Sequence, residues 1–551
     1  MSENNVLTVL RDVARRVPDR PALCMESGTI SFGSLWERIG RAAAGFRRLG
    51  LTAGDRAIVM IPMSIDLYVA MLALLEIGAV AVFVDPWIGR RQIAAFAAFA
   101  GPRAWIGIAK SHLLRLLDPR LRAIPLAVTT GRRLGPLPAP LSLAGLEVGA
   151  ALCGRPGGQG AHVGAPLHEI HSVTLDDPAL ITFTTGSSGE PKGTNRTHGF
   201  LLAQRAALAG EFPAREGDAE MTMFPVFALN NLAAGVPSIV PAMDFRHVDR
   251  IDAGRVLAQM RRHGVTTCTA SPPFFDRLAA ALSGAEERPA LRRLLTGGAP
   301  VSDDQLRVWR RGFPETEILV AYGSTEAEPV AHLTAEERLA ATNPDRPLAP
   351  GYCAGAPIDR LRAKVLRIHP APIELGAEGW PAWELPAGEI GELAVAGDHV
   401  CRDYYRNPGA VKENKIADGP SVWHRMGDTG SFDAMGRFWL AGRVHSTIHR
   451  AGALVHPQLV EQAAKGNDPR LRRVAAVGLP DPALGERVVL AVETDATGIV
   501  EEIEERIAAA GLAVDAVLLT REPLPVDPRH NSKIDYPRLR STMLASRHGP
   551  R

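Results

Sequence analysis

The stretch Phe183-Thr-Thr-Gly-Ser-Ser-Gly-Glu-Pro-Lys-Gly-Thr194 decides how this chain is read. An apolar, strand-like run, LITF at 180–183, feeds a loop of glycines and small hydroxyl residues that carries one lysine. Glycines let backbone N–H groups converge on an anion. Thr184, Thr185, Ser187 and Ser188 add hydroxyl donors, and Lys192 adds a mobile positive charge, so the loop suits phosphate. It is not a Walker A loop, because the GKS/T ending is absent and a proline precedes Lys192. A flexible Gly/Ser surface loop is the plain alternative, and the length and order of the string disfavour it. Lysine scarcity adds weight: Lys110, Lys192, Lys364, Lys412, Lys415, Lys465 and Lys533 are the only lysines among 62 basic residues. Arginine is the default cation here, so a compact ammonium stands out where it persists.

A second string, Val320-Ala-Tyr-Gly-Ser-Thr-Glu326, is again an apolar run that turns at a glycine. It presents Tyr322, Thr325 and Glu326 at a strand end, where open α/β sheets bind ligands. A tyrosine face can stack on a base, and a carboxylate beside phosphates can hold Mg2+. Taken alone, the heptad reads equally well as a core tyrosine, a turn glycine and a solvated glutamate.

Outward from these strings, 551 residues correspond to about three or four folding units, or to one large domain with a satellite. With 46% hydrophobic and 22% charged residues the chain can bury a sizeable core. The 62 basic residues nearly cancel 60 acidic ones, which removes a global field for nucleic acid or an anionic membrane. The five cysteines are odd in number, scattered and without a CxxC pair, against a disulfide framework or structural zinc and in favour of a reducing, cytoplasmic setting. The N-terminus has no apolar h-region, and the most apolar stretch, 67–84, is broken by Glu76, so no signal peptide or membrane span is expected.

Leu35, Ile39, Ala43, Phe46 and Leu49 fall at helical spacing before Gly50, and short apolar runs at 57–63 and 81–86 flank another helical pattern. Strands alternating with helices indicate a parallel sheet covered on both faces. Residues 134–166 are Gly-, Pro- and Ala-rich without periodicity and read as a long surface connection. Apolar runs resume at ALITFTT, TMFPVFAL, TTCTASP and EILVAYG, indicating a second sheet-bearing region to about residue 330. After Pro344, short alternating segments point to a β-rich subdomain up to about Leu440. The expected fold class is α/β: a large N-terminal domain, 1–441, of two α/β sheets plus that subdomain, then a small α+β C-terminal domain over 447–551.

Four further strings follow in order: LTGGAPVS at 295–302, HRMGDTG at 424–430, GRVHSTIHRAG at 442–452 and HNSKID at 530–535. Together with FTTGSSGEPKGT and AYGSTE they resemble the ATP-binding core of the adenylate-forming superfamily, which includes acyl-CoA synthetases, luciferases and peptide-synthetase adenylation domains. The resemblance implies ATP and Mg2+ as cofactors. It places Thr184, Thr185, Gly186, Ser187, Ser188, Gly189 and Lys192 around the ATP phosphates and Gly298 and Ala299 along the adenine site. Tyr322, within Tyr322-Gly323-Ser324, would stack on adenine; Thr325 would touch the α-phosphate, Glu326 the Mg2+ and Asp428 the ribose hydroxyls. Arg443 would open a hinge at 442–446 and reach the nucleotide. Lys533 would bridge the substrate carboxylate and the α-phosphate, stabilising charge that grows at phosphorus. Lys533, Thr325 and Arg443 are the catalytic candidates.

The chain departs from acyl-CoA synthetases in Phe224-Pro-Val-Phe-Ala-Leu-Asn230, where Ala228 replaces a common histidine. His445 stands where the hinge usually has aspartate or lysine, and Ser532 replaces the glycine before Lys533. These changes bear on thioester formation more than on adenylation. Phe227, Ala228 and Leu229 are the substrate-contact candidates. MFPVFALN, IVPAMD, KIADGPSVWHRMGDTGSFDAMGRFWLAGR and LPVDPRHNSKI are similar to one branch, the β-lactone synthetases of bacterial long-chain olefin biosynthesis. That likeness implies adenylation of a 2-alkyl-3-hydroxy fatty acid, then attack by its own 3-hydroxyl to release AMP and a β-lactone without CoA. His445 would be a base for that hydroxyl or simply a hinge residue. The likeness also implies association with an α/β-hydrolase and a short-chain dehydrogenase, while the balanced charge gives no reason to expect a nucleic acid partner. The rival readings are a fatty acyl-CoA synthetase, a fatty acyl-AMP ligase loading a separate carrier protein, and a nucleotide-binding scaffold without catalysis.

Overall fold

The computed structural model describes residues 4–84, 89–131, 141–152, 168–184, 191–284, 287–342, 351–466, 468–526 and 534–545. Their strands form four sheets. The first runs in the order Leu141–Ser142, Leu126–Thr130, Ala104–Ile108, Arg56–Met60, Val80–Val84, Pro178–Thr184 and Lys192–Thr197. Its strands are parallel except for the last pair, in which Thr184 faces Lys192. Ala57, Ile58, Ala81 and Val82 are fully buried, as strands covered on both faces must be. One cover is the helix Phe32–Arg48, capped by the Ser31 hydroxyl, which buries the Leu35, Ile39, Ala43 and Phe46 stripe that the sequence marks out.

The second sheet runs Ala327–Thr334, Glu317–Ser324, Arg293–Thr296, Thr267–Ala270, Glu220–Thr222, Ser238–Ile239, Pro21–Met25 and Gly28–Ser31, antiparallel only at its two edges. The third is antiparallel, built from strands between Tyr352 and Arg443. From Arg443 the chain passes through the turn Val444–Ser446 into the fourth sheet, which the helices Pro457–Lys465, Val500–Ala509 and Tyr536–Ala545 accompany. The expected class, two α/β sheets with a β-rich unit and an α+β C-terminal part, is the architecture found. Among the described residues no helix is long and apolar enough to cross a membrane. Cys24, Cys268, Cys353 and Cys401 are buried and free; Cys153 lies outside the described residues.

Two sequence expectations need correction. The presumed surface connection at 134–166 contains a helix, Leu143–Leu152. It packs on Phe32–Arg48 at Gly45, where a Cβ would come 2.8 Å from the Cβ of Leu146, and Arg38 pins it through Glu147 with Nε to Oε2 at 2.9 Å. Its apolar, Gly- and Ala-rich sequence shows little periodicity, so tertiary contact rather than pattern defines it. The run TMFPVFAL is not one strand: the strand ends at Thr222, and Pro225 starts a helix, Pro225–Ala234, that stops at Gly235 in the left-handed region. Proline suits a first helical turn, where its missing N–H costs nothing.

In the C-terminal part, Glu461 accepts hydrogen bonds from the Tyr536 hydroxyl at 2.8 Å and the Ala476 N–H at 2.9 Å. Burial pushes its carboxyl up to about 7. The folded value lies above the unfolded one, so the stabilisation is complete below the ordinary carboxylate range and is lost as pH rises through about 7. Glu461→Gln removes the titration. It is expected to raise Tm at pH 8 by roughly 2–4 °C, the shift for about 1 kcal/mol, and to change it little at pH 4. Calorimetric scans at both pH values check this, and a Tm difference independent of pH would refute it.

Candidate active site

The carboxyl ends of the parallel strands in the second sheet and one strand of the third sheet converge on a polar cluster. Strand Glu317–Ser324 carries Tyr322, and Ser421–Phe432 carries Asp428. The Tyr322 hydroxyl donates to Asp428 Oδ2 at 2.6 Å. Asp428 pairs in register with Arg443 on the neighbouring strand, whose Nε lies 2.8 Å from Oδ1. Three residues far apart in sequence therefore share one carboxylate, which is only 4% exposed. Burial and the Asp428 charge push the Tyr322 phenol far above its ordinary range, so it stays a donor. One side of its ring is taken by Phe438, with centroids 5.8 Å apart. Gly298 and Ala299 follow strand Arg293–Thr296 beside this one. Gly298 has φ +80°, and a Cβ on Gly297 would come 2.7 Å from the Ala321 carbonyl, so the turn lies hard against the residue preceding Tyr322.

Glu326 sits past Gly323 and Ser324, in the turn before Ala327–Thr334. Its N–H donates to Ser324 Oγ at 3.2 Å, its carbonyl accepts from the Cys401 N–H at 2.7 Å, and its Oε1 accepts from the Tyr404 hydroxyl at 3.1 Å. Arg196 holds the Thr325 carbonyl at 3.0 Å. Burial opposes ionisation of Glu326, but the facing His424, the Lys415 ammonium and the Tyr404 hydroxyl outweigh it and keep the carboxyl below its ordinary range. Among the described residues the Tyr404 hydroxyl, on Oε1, is the side-chain donor that its carboxylate meets. An anionic carboxylate so placed suits a hard divalent cation that takes its remaining ligands from water and phosphate. No group of three or more His, Cys, Asp or Glu among the described residues could hold a metal.

Lys192 begins strand Lys192–Thr197, and its Nζ lies 3.6 Å from Glu413 Oε2. Thr184 ends the strand opposite. Thr185, Gly186, Ser187, Ser188 and Gly189 of the phosphate loop lie outside the described residues, as does Lys533. His445 is an exposed residue of the turn Val444–Ser446. The substrate candidates share the helix Pro225–Ala234 but face different surroundings. Phe227 lines a narrow cavity of about 60 Å3 with Leu295 and Phe212; Leu229 lines a second, of about 40 Å3, with Leu7 and Leu201. The cavities share Leu208 and Asn230 as a common wall. Ala228 is fully buried in the core. Sequence reasoning missed Arg196, Cys401, Tyr404 and Lys415. The sole signal for any of them was the persistence of Lys415 in a chain that otherwise uses arginine.

A tyrosine, its aspartate and a cation-ready glutamate gathered at one sheet end, in a chain whose sequence also carries a phosphate-type loop, are the features of an adenylate-forming ligase, ATP-dependent and AMP-producing. The family model for the AMP-binding enzyme matches residues 10–405, and the chain belongs to that family. It is 33% identical to an olefin beta-lactone synthetase of Stenotrophomonas maltophilia, with 97% of each chain covered. It is 32% identical to one of Xanthomonas campestris pv. campestris, covering 97% of this chain and 96% of the other. In fold it is similar to the amide bond synthetase McbA from Marinactinospora thermotolerans, with TM-score 0.78 and 21% identity over 98% of this chain and 99% of that one.

Proposed function

We propose that the protein uses ATP and Mg2+ to adenylate a long-chain 2-alkyl-3-hydroxy fatty acid and then closes it to a β-lactone, releasing pyrophosphate and AMP. The observation that carries this reading is the likeness, over nearly the full length, to two olefin beta-lactone synthetases. Ala228 supports it: a fully buried methyl group stands where acyl-CoA synthetases commonly have an imidazole. In the first step a substrate carboxylate oxygen bonds to the α-phosphorus, and pyrophosphate leaves with the electrons of the broken P–O bond. In the second the 3-hydroxyl oxygen bonds to the acyl carbon, its proton is lost, and AMP leaves with the electrons of the C–O bond. An internal hydroxyl has a high effective molarity once held over the acyl carbon, so no thiol is required.

Within this proposal Asp428 accepts the ribose hydroxyls, Tyr322 and Gly298–Ala299 frame the base, Lys192 meets the phosphates and Lys533 meets the reacting carboxylate. A cation on Glu326 would neutralise the phosphate charge. An α/β-hydrolase and a short-chain dehydrogenase as companions belong to the same proposal.

Mass spectrometry of the reaction with Mg-ATP and such an acid, run with and without CoA, tests it. The expected product is lighter than the acid by one water in both reactions and appears with AMP. A thioester formed only when CoA is present would return the protein to the acyl-CoA ligases.

A further inference from the structure

Two of the tethers on Glu326 come from one short stretch. The Cys401 N–H holds its carbonyl at 2.7 Å, and the Tyr404 hydroxyl holds its Oε1 at 3.1 Å. The same stretch is stitched to the strand that begins at Lys192: Cys401 Sγ lies 3.2 Å from the Asn195 carbonyl, Tyr404 bridges to Thr194, and the Tyr405 N–H donates to the Gly193 carbonyl at 2.8 Å. Residues 401–405 therefore span the gap between the phosphate-loop lysine's strand and the acidic turn.

Lys415 holds this span from behind. Its Nζ donates to the Cys401 carbonyl at 2.5 Å and lies 5.1 Å from the centre of the Tyr404 ring. The side chain is 6% exposed. Burying an ammonium costs several kcal/mol unless it is paired, and here a carbonyl, an aromatic face and the nearby Glu326 charge offset part of that cost. One point charge serving a carbonyl and a ring face fits lysine; the wide planar fork of arginine would displace one of them.

We propose that Lys415 and Tyr404 are positioning residues for cation binding by Glu326. Lys415 fixes the Cys401 carbonyl and the Tyr404 ring, the hydroxyl then occupies Oε1, and Oε2 is left for a divalent cation. This rests on the reading of Glu326 as the Mg2+ ligand and not on the identity of the acid.

The test is calorimetric titration of the full chain with ATP in EDTA and with ATP plus Mg2+, for the wild type, Tyr404→Phe, Lys415→Met and, as reference, Glu326→Gln. Hydrogen bonds to charged groups are among the strong ones. The gain in ATP affinity that Mg2+ brings is therefore expected to fall about tenfold in Tyr404→Phe and Lys415→Met, while metal-free ATP affinity stays within about twofold. In ATP–pyrophosphate exchange, Tyr404→Phe should raise the half-saturating Mg2+ concentration more than it lowers kcat at saturating Mg2+. Tyr404→Phe keeps the ring and so reads the hydroxyl even if Lys415→Met fails to fold. A wild-type Mg2+ gain in Tyr404→Phe, alongside a lost gain in Glu326→Gln, overturns the positioning role. A wild-type gain in Glu326→Gln overturns the reading of Glu326 and the inference with it. Equal losses with and without Mg2+ mark a merely structural role and also overturn it.

Discussion

Asp428→Ala is expected to lower kcat/KM for ATP in ATP–pyrophosphate exchange by at least about a hundredfold. The substitution removes the acceptor of two donors at once, the Tyr322 hydroxyl at 2.6 Å and Arg443 Nε at 2.8 Å, and with them the proposed acceptor for the ribose hydroxyls. Asp428 is buried but its partner Arg443 is 42% exposed, so the pair alone counts for less than a fully buried one, and the lost Tyr322 and ribose contacts supply the rest of the roughly 3 kcal/mol that a hundredfold requires. Asp428→Asn keeps an oxygen for Tyr322 but loses the charge facing Arg443, so its defect should be intermediate. The kinetics of the two variants, with Tm as a control for folding, decide the matter. A loss below about tenfold in Asp428→Ala with an unchanged Tm would remove Asp428 from the nucleotide site.

Lys533→Ala should slow adenylation by about 10²–10³ with little change in ATP affinity, because a charge meeting the pentacoordinate phosphorus acts mainly in the transition state. Single-turnover formation of acyl adenylate measures this directly. The second half-reaction, started from supplied acyl adenylate, should keep most of its rate in the variant, since no phosphorus is attacked there. If ATP affinity falls as far as the rate, Lys533 is a binding residue instead.

What could be read from the sequence followed from how locally each signal is encoded. The strand before the phosphate loop and the one leading into AYGSTE announce themselves by apolar runs stopped at glycine, because strand and turn are decided over a few residues; the polar strand after the loop, Lys192–Thr197, gives no such sign. The helix Leu143–Leu152 does not, since Gly- and Ala-rich sequence gives no face and its stability comes from Gly45 and Arg38 across the packing. Pro225 misled in the opposite way: the apolar letters of TMFPVFAL continue while the backbone changes from strand to helix. At the site, the motifs indicated that a tyrosine, an aspartate and an arginine matter. Their sharing of one carboxylate depends on the pairing of Ser421–Phe432 with Phe438–Arg443 and on the approach of two sheets, which no short string records. Tyr404 and Cys401 were silent for the same reason: their partner Glu326 lies more than seventy residues earlier and meets them only through backbone and hydroxyl contacts.

The burial of Cys401 gives this chain a built-in chronometer. Its thiol is 1% exposed, and burial raises its pKa, so it is both shielded and poorly ionised while the 401–405 span is closed. A thiol reagent can reach it only when the sulfur leaves the Asn195 and Asp403 carbonyls that cover it, so its alkylation half-life measures how often the 401–405 span lifts from the strand that begins at Lys192.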